Sequence, residues 1–297
     1  MKKTTNKVFS YLAFTFCIAA IVSCNNTNQN DNSNNDEVVQ DTVASLTQVW
    51  KTDSTFTGSE STLYNPANNT IYVSCGNTDP SAKDGDGFIA LLNSDGSVKN
   101  MKWVTGLNAP KGMAILNGKL YVTDVDEVKI IDLETASIEK TIPVEGAKFL
   151  NDLASDGTTV YFSDSDAGTV YSLNQAGSTM AVINNADGIN GLELYEGSLY
   201  TLDKQGLNKY DTTEYKGSLL NSEVKGGDGL VILNDSTFVA SRWAGEIYLI
   251  KGDKATLLVD TKAEKSNTAD IGFIADQNLV IVPTFMKNEV AAYKLNY

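Results

Sequence analysis

A short β-rich run returns six times along the chain at nearly constant intervals. It reads TIYVS around Ile71, KLYVTD around Leu120, TVYFSD around Val160, SLYTLD around Leu199, TFVASR around Phe238 and NLVIVPT around Leu279. The intervals are 49, 40, 39, 39 and 41 residues. Four short strands with their turns need about 40 residues, which is the repeat length of one propeller blade. Between these runs lie Gly, Asn and Asp turns, and no amphipathic helix of useful length interrupts them. The expectation is an all-β chain folded as a six-bladed β-propeller.

Each unit can be phased. An inner strand comes first, as in GMAIL, DLASD, GLELY and GLVIL. A tight turn such as Asn117-Gly118 or Asp156-Gly157 leads to the recurring run as second strand. Third strands follow (VKIIDL, TVYSLN, LNKYDT, EIYLIK, VAAYKL), then outer strands (IEKTIPV, TMAVIN, SLLNSEV, ATLLVD). The sixth unit ends at AAYKLNY without an outer strand, while a spare strand, LTQVWKTD, begins at residue 46. That N-terminal strand is expected to complete the last blade, which ties the chain ends together and leaves no open ring. Residues 47–297 are therefore read as one propeller domain, working as a monomer.

The first residues read as an address. Three lysines precede an apolar run, VFSYLAFTFCIAAIV, that is too short for the ~20 residues of a membrane span. Ile21-Val22-Ser23-Cys24 has the form of a bacterial lipobox, so residues 1–23 are expected to be a lipoprotein signal peptide and Cys24 the lipidated residue. Residues 24–46 begin with an Asn-rich stretch unable to bury apolar surface, which reads as a flexible tether. The expected location is the bacterial envelope, lipid-anchored, at the outer membrane facing the periplasm or at the cell surface. The lipid is the only membrane contact expected.

Composition removes whole classes of chemistry. The chain has no histidine, which excludes Ser-His-Asp and Cys-His catalysis and histidine-ligated zinc. Its three cysteines cannot build a four-cysteine site. Cys75 lies in a β run and reads as a buried strand residue. The net charge of −14 argues against nucleic acid as a partner, since phosphate requires a basic face. A small-molecule substrate or ligand is the expected partner.

The residues just before each inner strand should meet at one mouth of the channel. They are Glu60, Lys111, Asn151, Asn190, Asp228 and Asp270, all polar although each opens a largely apolar strand. Two carboxylates ~6 Å apart repel by ~3 kcal/mol at an effective dielectric near 20. Converging carboxylates must therefore raise a pKa or hold a cation. Carboxylates with amide oxygens form a hard set suited to Ca²⁺, Mg²⁺ or Mn²⁺ more than to Zn²⁺. Against this, Asn190-Gly191 and Asp228-Gly229 also read as ordinary turn sequences.

Four stretches carry a family resemblance. Glu60-Ser61-Thr62-Leu63-Tyr64 resembles an opening E-G-P-x-W, Asn151-Asp152-Leu153 an N-D-G, Asn190-Gly191-Leu192 an N-G-L, and Asp228-Gly229-Leu230 a D-G-M or D-G-L. FVASRWAGEIYLI downstream is similar to a W-V-A…G-G-x-V-x-x-F stretch. Together they resemble the senescence-marker-protein/gluconolactonase/luciferin-regenerating-enzyme (regucalcin-like) family. The resemblance implies one divalent cation, Ca²⁺ first, held by Glu60, Asn190 and Asp228. It implies metal-dependent hydrolysis of a small, sugar-type lactone or ester, with Asp228 as ligand and general base and Asn151 beside the ion and substrate. Ser61-Thr62 replaces the family's Gly-Pro, and Phe149 stands where sugar-lactone members often carry arginine.

Loops after the second strands should reach the same mouth with Asp124, Asp126, Asp164, Asp166, Asp203 and Arg242. Arg242, the single arginine, is expected either to orient substrate along with Asn151, Lys111 and Asp270 or to pair with one of these aspartates. The Asp-x-Asp pairs read as polar turns. The long loop Asn77–Gly87 reads first as a surface excursion and second as a lid. A non-catalytic propeller binding a small ligand, glycan or protein partner is the alternative function.

Overall fold

A computed structural model describes residues 43–297. The expected signal, Cys24 and most of the expected tether lie outside the described residues. The described chain is a ring of six four-stranded antiparallel sheets, the six-bladed propeller that the repeat requires. Five sheets use consecutive strands. The sixth takes Gly272–Ile274, Leu279–Pro283 and Val290–Asn296, and its outer strand is Ser45–Lys51. The pairing runs from Ser45 opposite Asn296 to Lys51 opposite Ala291.

Alternating apolar residues explain where the core lies. Both faces of each second strand are covered by neighbouring blades, so Thr70–Cys75 and Val160–Asp164 are buried throughout. Apolar side chains then gather in six clusters, one between each pair of adjacent blades. Ile71, Val73 and Cys75 of blade one meet Ile274, Ile281 and Val290 of blade six. Phe162 and Val160 of blade three meet Tyr121 and Val128 of blade two. Cys75 is a buried free thiol, as expected of a strand residue. Outer strands such as Ser137–Pro143 are mostly exposed.

The hairpin turns follow local sequence. Asn117 and Gly118 both take positive φ (51° and 75°), as do Glu196 and Gly197 (48° and 72°). Those are type I′ angles, whose twist matches that of the flanking strands.

Candidate functional site

The side chains at the mouth owe their direction to bulges. The register between inner and second strands breaks at Ser59/Ser61 in blade one, at Pro110/Met113 in blade two and at Leu150/Leu153 in blade three. Glu60, Lys111 and Asn151 occupy those breaks. A bulge frees a residue from the ladder and re-aims its side chain. A buried hydroxyl on the facing second strand takes an inner-strand N–H beside the breaks of blades one and three, and at the same place in blade five. Ser74 accepts the Ser61 N–H at 3.0 Å, Ser163 the Asp152 N–H at 3.0 Å and Ser241 the Gly229 N–H at 2.8 Å. Ser241 also donates to the Ala269 carbonyl of the next blade at 2.7 Å, and Thr123 donates to that of Asn151. A Ser or Thr near the end of the second strand thus holds the inner strands of blades one, two, three and five, while the matching Thr201 hydroxyl of blade four has no partner and blade six carries Val282 there.

Glycine permits the close approach. A Cβ on Gly191 would lie 2.2 Å from the Asp228 carbonyl oxygen, and one on Gly229 would lie 2.3 Å from the Ile271 nitrogen. Neither glycine has positive φ. Asn190-Gly191 and Asp228-Gly229 are therefore not turns. Their glycines let adjacent inner strands touch where the polar ring forms.

The structure brings Glu60, Lys111, Asn151, Asn190 and Asp228 together around a cavity of about 350 Å³. Asn190 Nδ2 donates to Asp228 Oδ1 at 2.9 Å. Lys111, only 2% exposed, donates through Nζ to the carbonyls of Pro80 at 2.7 Å and Ala109 at 3.2 Å. Its ammonium also sits 4.4 Å from the centre of the Phe149 ring. Asn151 Nδ2 donates to Ser165 Oγ at 3.2 Å. Two acceptors remain alone: Glu60 Oε2 and Asn190 Oδ1 are buried and accept no hydrogen bond. An ionised Glu60 carboxylate and the Asn190 amide oxygen, both acceptors, fit a cation. Among the described residues no three acidic or cysteine side chains close to metal-holding geometry. A cation here would thus depend on the amide oxygen as well as on the two carboxylates.

Electrostatics follow from burial. Desolvation, then the charge of Asp270, pushes the Asp228 carboxyl up to about 8, against the lowering bond from Asn190. Glu60 is raised well above the carboxylate range by burial and by Asp228, with Lys111 opposing. Burial lowers the Lys111 ammonium, and the charge of Glu60 opposes that.

Asp270 is placed elsewhere. It lines a second, larger cavity of about 490 Å³ together with Asp152, rather than the cavity of the other five. Ser61 Oγ donates to it, and burial raises it to about 7. Asp152, next to Asn151, accepts the Leu192 and Leu153 N–H groups and so joins blade three to blade four. Arg242 does not line the smaller cavity. It pairs with Glu246 of its own hairpin at 3.2 Å, not with any of the loop aspartates. Its neighbour Trp243 lines the cavity instead, against Phe285 at 4.8 Å between ring centres.

The loop aspartates shape backbone, as polar turns do. Asp124 accepts the N–H groups of Asn108 and Ala109, Asp164 those of Lys148 and Phe149, and Asp203 those of Gln205 and Gly206. Asp164 thereby sets Phe149 at the mouth. Asp126 pairs with Lys83 at 2.6 Å, and Asp166 lines the cavity. The Asn77–Gly87 loop is more than an excursion: through Pro80 it forms cavity wall and holds Lys111. Sequence reasoning had no signal for Pro80 or Phe285, which long-range contact alone brings to the site.

No family model matches the chain, and no curated protein matches its sequence. The fold has solved counterparts. A virginiamycin B lyase from Staphylococcus aureus, in a catalytically inactive histidine-to-alanine form with quinupristin, superposes with a TM-score of 0.59 at 11% identity. That match covers 86% of this chain and 100% of the lyase. A streptogramin B lyase structure gives 0.60 at 12% identity, covering 86% of this chain and 98% of the other. At this identity the likeness is one of fold.

Proposed function

We propose that the chain is an envelope lipoprotein, anchored through Cys24, whose propeller hydrolyses a small lactone or ester with the help of one divalent cation, Ca²⁺ first. The observation that carries this is the pair of buried, unpartnered acceptor oxygens, Glu60 Oε2 and Asn190 Oδ1, beside Asp228. Buried polar atoms without partners are rare, and each calls for an occupant. Glu60, Asn190 and Asp228 would hold the ion. When bound, the ion would polarise an ester carbonyl or acidify a water.

The chain's own residues would do the rest. Asn190 holds one Asp228 oxygen, which fixes the carboxylate plane. In its ionised form Asp228 takes a proton from the attacking water. The Lys111 ammonium has spent two donors on Pro80 and Ala109, so its third is left for substrate oxygen. Asn151 borders the same space. The pairing of Arg242 with Glu246 leaves it out of this scheme. The lyase that is inactive without one of its histidines offers no transferable route, because this chain has none.

Metal content by mass spectrometry on residues 43–297, wild type beside Asp228→Ala, tests the proposal. The expected result is about one ion per wild-type chain, absent from the variant, with lactone or ester turnover lost alongside it. No ion in wild type after incubation with Ca²⁺, Mn²⁺, Mg²⁺ or Zn²⁺ would refute the cation. The ring would then serve a binding propeller.

A further inference from the structure

The larger cavity, of about 490 Å³, occupies the channel beyond the ring, between the inner strands of all six blades. It runs from Asp152 and Asp270, next to the ring, to Asn65 and Tyr195, where the inner strands of blades one and four end in their hairpins. Its size falls in the ~300–1,000 Å³ range of small-molecule pockets. The proposed hydrolase gives it no role.

Its charge is one-sided. Asp152, Glu193 and Asp270 line it, and among the described residues no lysine or arginine does. Each carboxyl accepts from neutral donors. Asp152 takes the N–H groups of Leu153 and Leu192 on its two oxygens. Asp270 takes the Ser61 hydroxyl on Oδ2, and Glu193 takes the Leu194 N–H on Oε1. Asp270 is 8% exposed, and its Oδ1 receives no N–H or hydroxyl. Its neighbour within hydrogen-bonding reach is Asp152, another acid. Neutral donors satisfy lone pairs and leave the charge. A buried charge needs an opposite charge close by, and here the open side from which one can come is the cavity.

The rest of the lining is mainly apolar, with Met113, Leu153, Val231 and Phe273 among it. That decides the kind of cation. Among the described residues no three acidic or cysteine side chains close to metal-holding geometry. A metal ion would also leave most of the volume as water against apolar walls. An ammonium group brings one charge and three donors, and a hydrocarbon body fills what remains.

We propose that the channel beyond the ring is a second binding site, for a small primary amine with an apolar body that enters from the hairpin face. Its ammonium group lies among Asp152, Glu193 and Asp270, and its hydrocarbon along Met113, Leu153, Val231 and Phe273. The site is separate from the ring's cation and does not depend on hydrolysis.

Calorimetric titration of the full chain with n-hexylamine at pH 8, beside hexanol, tests the proposal. At this pH the amine carries its proton, as a lysine does. Hexylamine is expected to bind, and hexanol at least about tenfold more weakly, since only the amine answers the carboxylates. Glu193→Gln keeps the shape and removes one charge. It should weaken hexylamine about tenfold and leave hexanol unchanged, with a melting curve showing the variant folded. Saturating Ca²⁺ should not displace the amine, because the ring faces the other cavity. The proposal is overturned if hexylamine does not bind, if hexanol binds as well, or if folded Glu193→Gln binds the amine as wild type does. It is also overturned if Ca²⁺ displaces the amine, which would put the amine in the ring. The amine–alcohol comparison and the Ca²⁺ competition use wild type alone, so they decide even if Glu193→Gln is unstable. None of these outcomes bears on the hydrolase, which stands or falls by Asp228→Ala.

Discussion

Asp228 concentrates the electrostatic tension of the mouth in one side chain. It is buried, it faces the charge of Asp270, and Asn190 alone among the named influences favours its charged form. Its carboxyl ionises near 8 in the fold and near 4 in an unfolded chain. A carboxyl raised in this way contributes stability that is complete below the ordinary range and is lost as pH climbs through about 8. The cation-free protein should therefore melt at lower temperature at pH 8.5 than at pH 5. Asp228→Asn removes that penalty. Its melting point in chelator should exceed that of wild type by several degrees at pH 8.5, at about 2–4 °C per kcal/mol for a domain of this size. At pH 5 the gap should be much smaller, and below pH 4 the two should nearly coincide. Excess Ca²⁺ should raise wild type at pH 8.5 and leave the variant unmoved, because a ligand stabilises only the state that binds it. Parallel curves for the two proteins across pH would contradict the placement of that carboxyl.

At the scale of elements, the strand-end hydroxyls and inner-strand glycines decide whether the mouth residues converge. Ser241 takes the Gly229 N–H and gives its proton to Ala269, so Ser241→Ala strands a buried donor and a buried acceptor. Such losses cost about 1–3 kcal/mol. The expected fall in melting temperature is on the order of 5 °C. Gly191→Ala acts differently. Its new methyl would overlap the Asp228 carbonyl, so blade five must shift and carry Asp228 with it. Overpacking of this kind costs about 1–3 kcal/mol. Calcium affinity should fall at least tenfold in Gly191→Ala while Ser241→Ala loses mainly stability. Equal calcium affinity in wild type and Gly191→Ala would show that the blade contact does not position the ring.

For the whole molecule, closure is the deciding contact. The strand Ser45–Lys51 covers the edge of Val290–Asn296, and Trp50 reaches blade one, where Nε1 donates to the Ser94 carbonyl at 3.2 Å. Trp50 also packs on the cluster that joins blades one and six. Removing residues 43–52 should open that edge and that cluster together. The expected result is a melting point lower by on the order of 10 °C, with concentration-dependent association visible in light scattering. A truncated chain that stays monomeric and melts like wild type would show that the ring does not need this strand.

Much of this was legible in the chain itself. Strand order, blade number and the closing strand follow from a 40-residue rhythm, because repeat length and β-alternation are local properties. Glu60, Lys111, Asn151, Asn190 and Asp228 follow from the same rhythm, since equal phase in a ring means equal height along the channel. Asp270 shares the phase yet lines the other cavity with Asp152. The inner strand of blade six is only Gly272–Ile274, and Asp270 before it is bridged to Ser61 of blade one, whose Oγ donates to its carboxylate. Arg242 could not be resolved by phase either, because a long side chain pairs with whichever acid its hairpin offers, here Glu246. Pro80 and Phe285 reach the cavity by tertiary structure alone: they come from loops on blades one and six, and no periodicity relates them. Repetition determines where a backbone goes. Which side chains meet over the channel depends on how closed blades aim their loops.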